Sequence, residues 1–301
     1  MSAALKPFLR WAGGKRWLTP YLAPMISQIL TGRYIEPFLG SGSMFFAVRP
    51  ASATLGDLNA ELIEVYGQVA AHARLIERML ERIPVNERRY YQVRANRPGS
   101  PTERAVRFIY LNRTCFGGLH RTNRKGEFNV PYGGGTRTPE LVYRDRLLVK
   151  SAAALNAADV KLVSGDFANL VHSARAGDVV FCDPTYRAAG RGQFDRYGPI
   201  VFSWDDQKRL AAAGMAAYSR GVAVVVMNAD VPEVAALYPR ARVMRLERTK
   251  CIGNLPKNAD RHREALLILD PGGHDEVWAN LQSKLTDAGL SPRAHKLAGA
   301  A

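Results

Sequence analysis

The residues best equipped for chemistry are Asp183-Pro184-Thr185-Tyr186, which close the apolar run Asp178-Val-Val-Phe-Cys-Asp183. That run reads as a short buried strand of a parallel sheet. Open α/β sheets bind ligands at the C-terminal ends of such strands. A carboxylate, a proline carbonyl and an aromatic ring arrive there together, giving two hydrogen-bond acceptors and a stacking surface. An Asp-Pro pair also opens ordinary turns, so the assignment needs support from elsewhere in the chain.

Three other stretches supply it. Phe8-Leu-Arg-Trp-Ala-Gly-Gly-Lys15 places a ring, a Gly-Gly pair and a lysine within eight residues. Alone it reads equally as a basic arm with a turn. Arg33-Tyr-Ile-Glu-Pro-Phe-Leu-Gly40-Ser-Gly42-Ser43 reads as strand, glycine loop and helix start, with Ser43 as the helix cap. Phe45 stands where a G-x-G-x-x-G loop requires its third glycine, which disfavours a nicotinamide dehydrogenase. Asp57 follows the strand Ala53 to Leu55, and an acidic residue at that strand tip accepts hydrogen bonds from ribose hydroxyls. Helix capping is its rival role, although Asn59 is already placed to cap the next helix.

The elements that must position these groups alternate as strand and helix, except between residues 73 and 149. Strands are expected at Val160 to Asp166, at Val222 to Met227, and as an antiparallel pair at Arg240 to Arg248 and Glu264 to Leu269. Helices are expected at 74–83, 102–112, 139–155 and 205–218. Residues 73–149 carry 16 Lys and Arg against 7 Asp and Glu, and the whole chain carries a net charge of +15. Concentrated positive charge of this kind suits a nucleic-acid face. Within it, Lys125-Gly126 reads as a hairpin tip before a strand Glu127 to Val130, and Arg187 to Val201 reads as a loop able to close over substrate. The longest apolar run, Val222 to Met227, is far below the ~20 residues that span a bilayer. Three scattered cysteines make neither a disulfide framework nor a metal motif. A soluble cytoplasmic protein without a membrane partner is expected.

Taken in order, these motifs resemble the Dam-type DNA adenine-N6 methyltransferases, the D12 class or α group, from Phe8 to about Leu269. The resemblance implies an α/β fold, a Rossmann-like mixed sheet of the S-adenosylmethionine-dependent methyltransferases. It implies a discontinuous catalytic domain at 1–72 and 150–285, a mostly helical, hairpin-bearing recognition insert at 73–149, and a flexible tail at 286–301. S-adenosyl-L-methionine is the implied methyl donor, and an adenine flipped from duplex DNA, within GATC, is the implied acceptor. Asp183, Pro184 and Tyr186 would be catalytic. Trp11, Lys15, Glu36, Phe38, Gly40, Asp57, Asp166, Phe167 and Asp183 would form the cofactor pocket. Arg10, Arg113, Phe116, Leu119, Arg121, Asn123, Arg124 and Lys125 would meet DNA, with Arg121 reading a base edge. No metal is implied. A monomer is expected, with a cognate restriction endonuclease as a further partner.

Two positions depart from the family pattern. Thr185 replaces the second proline of Asp-Pro-Pro-Tyr, and Gly117 stands where a larger polar residue is expected. Two alternatives therefore stay open at this level: a degenerate or non-catalytic DNA-binding homologue, and a methyltransferase acting on RNA or a protein amide.

Overall fold

The short apolar runs become strands: β1 (Tyr34–Glu36), β2 (Ser52–Asp57), β3 (Asp159–Ser164), β4 (Val179–Cys182), β5 (Ala223–Ala229), β6 (Arg242–Thr249) and β7 (Arg261–Leu269). This is a computed structural model, and it describes residues 5–123, 125–134, 144–157, 159–185, 202–249 and 261–291. The strands form one sheet in the order β3-β2-β1-β4-β5-β7-β6. β1 to β5 pair in parallel, with Tyr34 opposite both Ala53 and Val179, whereas β7 runs antiparallel to β5 and β6.

Alternate strand residues enter two separate cores, as the period of two demands. Tyr34, Val179, Phe181, Val225, Met227, Leu266 and Ile268 join one buried cluster, while Ile35, Val180, Cys182, Val224, Val226, Leu267 and Leu269 join the other. The second face is covered by α7 (Phe167–His172), α8 (Trp204–Ser219) and α9 (Pro232–Ala236). The first is covered by α1 (Thr19–Ile29), α2 (Ser43–Val48), α3 (Ala60–Glu81), α6 (Leu147–Ala157) and α10 (Asp275–Asp287). Coverage on both faces explains why the central strands are continuous apolar runs.

The charged insert extends that first core. α4 (Glu87–Ala95) and α5 (Pro101–Thr114) contribute Tyr90, Val93, Phe108 and Tyr110 to the cluster that holds Phe8 and Tyr66. Asn59 accepts from the Leu62 N–H at 3.2 Å and so caps α3, as its position predicts. α3 then runs through residue 72, where a break into the insert was expected. The helix kinks there, with His72 at φ −133°, ψ 26°.

Other expectations are corrected. The N-cap of α2 is Gly42 at φ 65°, and Ser43 is already helical, its hydroxyl 2.8 Å from that of Ser41. A Cβ on Gly42 would lie 2.9 Å from the Tyr66 hydroxyl, so a conventional serine cap has no room one position earlier. No continuous strand forms at Glu127 to Val130. The hairpin is held by single bridges, Thr122 to Phe128 and Cys115 to Tyr132. β5 continues through Asn228, which is buried and donates to Gln207 at 2.8 Å. The residues expected to start a frayed tail are docked: the Glu247 N–H donates to the Leu290 carbonyl at 2.8 Å, and the Ser291 hydroxyl to that of Arg245 at 2.9 Å. Tyr186, the loop Arg187 to Val201, Arg124, residues 139–143 of the expected helix and residues 250–260 lie outside the described residues.

Candidate active site

The strand order reverses between β1 and β4, and the carboxylates gather at that edge. Glu36 ends β1, Asp57 ends β2 and Asp183 follows β4. Because β7 is antiparallel, its early residue Glu264, opposite Ala229 at the end of β5, reaches the same edge. Open α/β sheets bind ligands at such a switch point.

Lys15 joins two of these acids. Its Nζ lies 2.8 Å from Asp183 Oδ1 and 3.6 Å from Glu264 Oε1, and donates to the Gly13 carbonyl at 2.8 Å. The lysine side chain is only 4% exposed, so the ammonium is held by these oxygens and not by bulk water. Glu36 is buried deeper. Its Oε2 accepts from the Tyr34 hydroxyl at 2.8 Å and from the Phe45 N–H at 3.1 Å. Burial nevertheless dominates and pushes its carboxyl up to about 8. Burial also raises Asp57, against the Asn59 and Gly40 N–H groups that donate to it at 3.0 Å. Cys182 beside Asp183 is buried, and burial raises its thiol, so it packs as an apolar side chain.

The glycine loop meets this edge closely. Gly40 has φ 47°, and a Cβ there would sit 2.8 Å from Trp11 Cδ1. The Tyr66 hydroxyl fixes the loop by donating to the Gly40 carbonyl at 3.1 Å. Trp11 is therefore seated against Gly40, which in turn bonds Asp57. The ring of Trp11 also stacks with His120 at 5.4 Å and with Phe108 at 6.5 Å. On the β3 side, Asp166 caps α7 by accepting from the Ala168 N–H at 2.9 Å. Phe167 stacks on Phe38 at 5.3 Å, and Phe202 meets both rings at 5.6 Å. Partial burial works to raise Asp166, but the Arg209 and Ala168 hydrogen bonds outweigh it and hold the carboxyl below its usual range.

Of the expected catalytic set, Asp183 is partly exposed and Pro184 is buried, while Tyr186 lies outside the described residues. Asp183 and Pro184 follow β4 directly, at the C-terminal edge of the sheet. The expected cofactor residues divide into a polar group (Trp11, Lys15, Glu36, Gly40, Asp57, Asp183) and an apolar wall (Phe38 and Phe167, with Asp166).

The expected DNA residues lie along the insert and the N-terminal arm. Arg10 is exposed, its backbone clasped by Asn112 through bonds of 2.8 and 2.7 Å. Arg113 is half-buried in the last turn of α5. Phe116 is 60% exposed, and Leu119 packs against the core. Arg121 donates from Nε to Asn129 Oδ1 at 2.7 Å. Asn123 builds the turn: its Oδ1 accepts from the Lys125 and Glu127 N–H groups at 2.9 and 3.0 Å. Lys125 is exposed. Sequence reasoning missed Glu264, Tyr66, His120, Asn129, Phe202 and Arg209. Only Glu264 left a trace, as a charge opening the apolar run Ala265 to Leu269.

The sheet order, the antiparallel β7 and the acidic switch point define a mixed, Rossmann-like α/β fold with its candidate site at the strand ends. Residues 11–252 match the D12 class N6 adenine-specific DNA methyltransferases. The chain is 36% identical over 280 residues to the type II methyltransferase M1.LlaDCHI of Lactococcus lactis subsp. cremoris, covering 90% of this chain and 96% of that one. It is 30% identical over 275 residues to the DNA adenine methylase of Escherichia coli (strain K12), covering 89% and 96%. A 247-residue stretch is 32% identical to the type II methyltransferase M.MjaIII of Methanocaldococcus jannaschii, covering 74% and 84%. The chain belongs to the D12 class N6 adenine-specific DNA methyltransferase family.

Proposed function

We propose that this protein methylates N6 of an adenine flipped out of duplex DNA, within GATC, using S-adenosyl-L-methionine. The observation that carries the proposal is the Asp183 carboxylate, held 2.8 Å from a buried Lys15 at the sheet switch point. The residues beside it suit the cofactor. Asp57 offers acceptor oxygens to ribose hydroxyls, Gly40 leaves room that a Cβ would fill, and Phe38 and Phe167 supply an apolar wall for a base. When bound, S-adenosylmethionine supplies an electrophilic methyl group.

The amine of adenine is a weak nucleophile because its lone pair is delocalised into the ring. Asp183 Oδ and the Pro184 carbonyl accept hydrogen bonds from its two N–H groups and so localise that lone pair. Lys15 fixes the rotamer of Asp183 and neutralises its charge before DNA arrives. Extruding the base costs a few kcal/mol, and Tyr186 offsets part of this by stacking, worth about 1–3 kcal/mol. Alignment of donor and acceptor supplies the remaining acceleration. In this reading residues 1–72 and 150–285 carry the chemistry, and residues 73–149 read the DNA. The protein acts as a cytoplasmic monomer, alongside a restriction endonuclease of the same specificity. Among the described residues no helix is long and apolar enough to cross a membrane.

Expression in a host that lacks adenine methylation, followed by methylation-sensitive digestion of its DNA, tests the target. Protection at GATC is expected. Asp183→Ala should lower methyl transfer by at least on the order of 10²–10³-fold, as loss of one transition-state hydrogen-bond partner does elsewhere. Near-normal turnover by that variant in a folded state would reject the mechanism.

A further inference from the structure

Arg209 lies on α8, away from every motif described above, yet it touches the base-side wall of the site at two points, Asp166 and Phe167, and is braced by Asp206 of its own helix. Its Nη2 donates to Asp166 Oδ2 at 2.8 Å, and its Nη1 to Asp206 Oδ1 at 2.8 Å. Its guanidinium carbon lies 5.0 Å from the centre of the Phe167 ring. Asp206 is itself fixed, because its other oxygen accepts from the Ser203 hydroxyl at 2.7 Å in the capping box of α8. A connected set of contacts therefore runs from the start of α8 to the Asp166 carboxylate. A planar fork suits this task better than an ammonium, since two donors at fixed spacing set an angle as well as a distance.

Among the described residues each oxygen of Asp166 has one protein donor, Oδ1 from Ala168 and Oδ2 from Arg209. A carboxylate oxygen accepts two hydrogen bonds, so each keeps one position open, and the side chain is 39% exposed. An open acceptor beside stacked rings accepts an amino group on a planar heterocycle. A carbonyl in the same place would set lone pair against lone pair.

We propose that Arg209 is a positioning residue of the cofactor pocket, aiming Asp166 so that the pocket prefers a 6-aminopurine nucleoside over its 6-oxo counterpart. The inference rests on the cofactor reading given above. The ion pair is not there to hold the fold together. Its partners are 49% and 39% exposed, and exposed pairs contribute little to stability. Loss of Arg209 should thus change discrimination and leave folding nearly untouched, which a merely structural residue would not do.

The test uses the full chain and two nucleoside probes, S-adenosylhomocysteine and S-inosylhomocysteine, with affinities measured by calorimetry. The parent should prefer the amino probe by roughly 10- to 100-fold, the scale of one hydrogen bond to a charged group. Arg209→Gln should shrink that ratio about five- to tenfold with an unchanged melting temperature. Arg209→Lys should recover only part, and Asp166→Asn should abolish the preference. An Arg209→Gln protein with the parental ratio would overturn the role of Arg209 alone. A parent protein that binds neither probe would overturn the cofactor reading and this inference together.

Discussion

The sheet edge and the hairpin of residues 115–132 hold their polar groups by opposite means. At the edge, Lys15, Glu36 and Glu264 are withdrawn from water and fixed by one another, by Tyr34 and by backbone N–H groups. In the hairpin, Asn123 and Glu127 organise an exposed turn, and Arg97 reaches across to Glu127 at 2.6 Å with both partners exposed. Burial makes each charge at the edge energetically consequential, whereas solvent screening makes those in the hairpin replaceable. The difference matches the tasks. On the proposed function, methyl transfer needs one geometry, while a surface that reads DNA must remain open to phosphates and bases.

The strongest way to break the contrast is to remove the shared cation. Lys15→Met keeps most of the side-chain volume but deprives Asp183 and Glu264 of the ammonium between them. Losing one partner of a buried ion pair destabilises by about 3–5 kcal/mol, so a clear fall in melting temperature is expected together with loss of activity. A Lys15→Met protein as stable as its parent would mean that the edge is already solvated, and the contrast with the hairpin would vanish.

Glu36 sharpens the same contrast through pH. Burial moves its carboxyl from 4.5 to about 8 in the fold. Between those values the folded protein binds more protons than the unfolded chain, so this group makes stability fall as pH rises through the window, with no further loss above it. Glu36→Gln imitates the protonated side chain and should remove that slope, gaining stability relative to the parent from pH 5 to 9. Parallel melting curves for both proteins would show that Glu36 is ionised in the fold. His120, beneath the hairpin, works in the other direction. Burial lowers it from 6.5 to about 4, so it weakens the fold as pH falls through that range. The two slopes oppose each other where the windows overlap.

Much of the edge was legible because strand tips announce themselves. Asp57 and Asp183 each close an apolar run, and a turn follows at once. Glu264 was not, because its place depends on β7 running antiparallel, a long-range pairing with β5 that no local pattern carries. Arg209 and His120 were hidden for a related reason. One sits on an exposed helix face and the other in a glycine-rich loop, and only the tertiary fold brings them to Asp166 and Trp11. The cap of α2 was misplaced by one residue because Tyr66, 24 residues beyond Gly42, decides which side chain fits there. The helix expected at 74–83 was read as a separate element and not as the second half of one kinked helix, since α3 keeps its apolar face on both sides of His72.

The hairpin gives the smallest effects and the finest separation of roles. Arg121 is preorganised, its Nε bonded to Asn129 Oδ1 at 2.7 Å and its Nη2 3.4 Å from the Asn129 carbonyl. A guanidinium held by one edge leaves the remaining donors of its fork for a base. Arg121→Ala should therefore lose about 1–3 kcal/mol of discrimination at one base pair while binding non-cognate duplex nearly as before. Lys125, exposed at the turn, has the complementary signature. Lys125→Ala should weaken binding evenly across sequences and lower the salt slope by about one. Titrations of cognate and altered duplexes at several salt concentrations separate the two. Should Arg121→Ala change only the salt slope, the hairpin would hold phosphates alone, and sequence choice would have to come from another part of the insert.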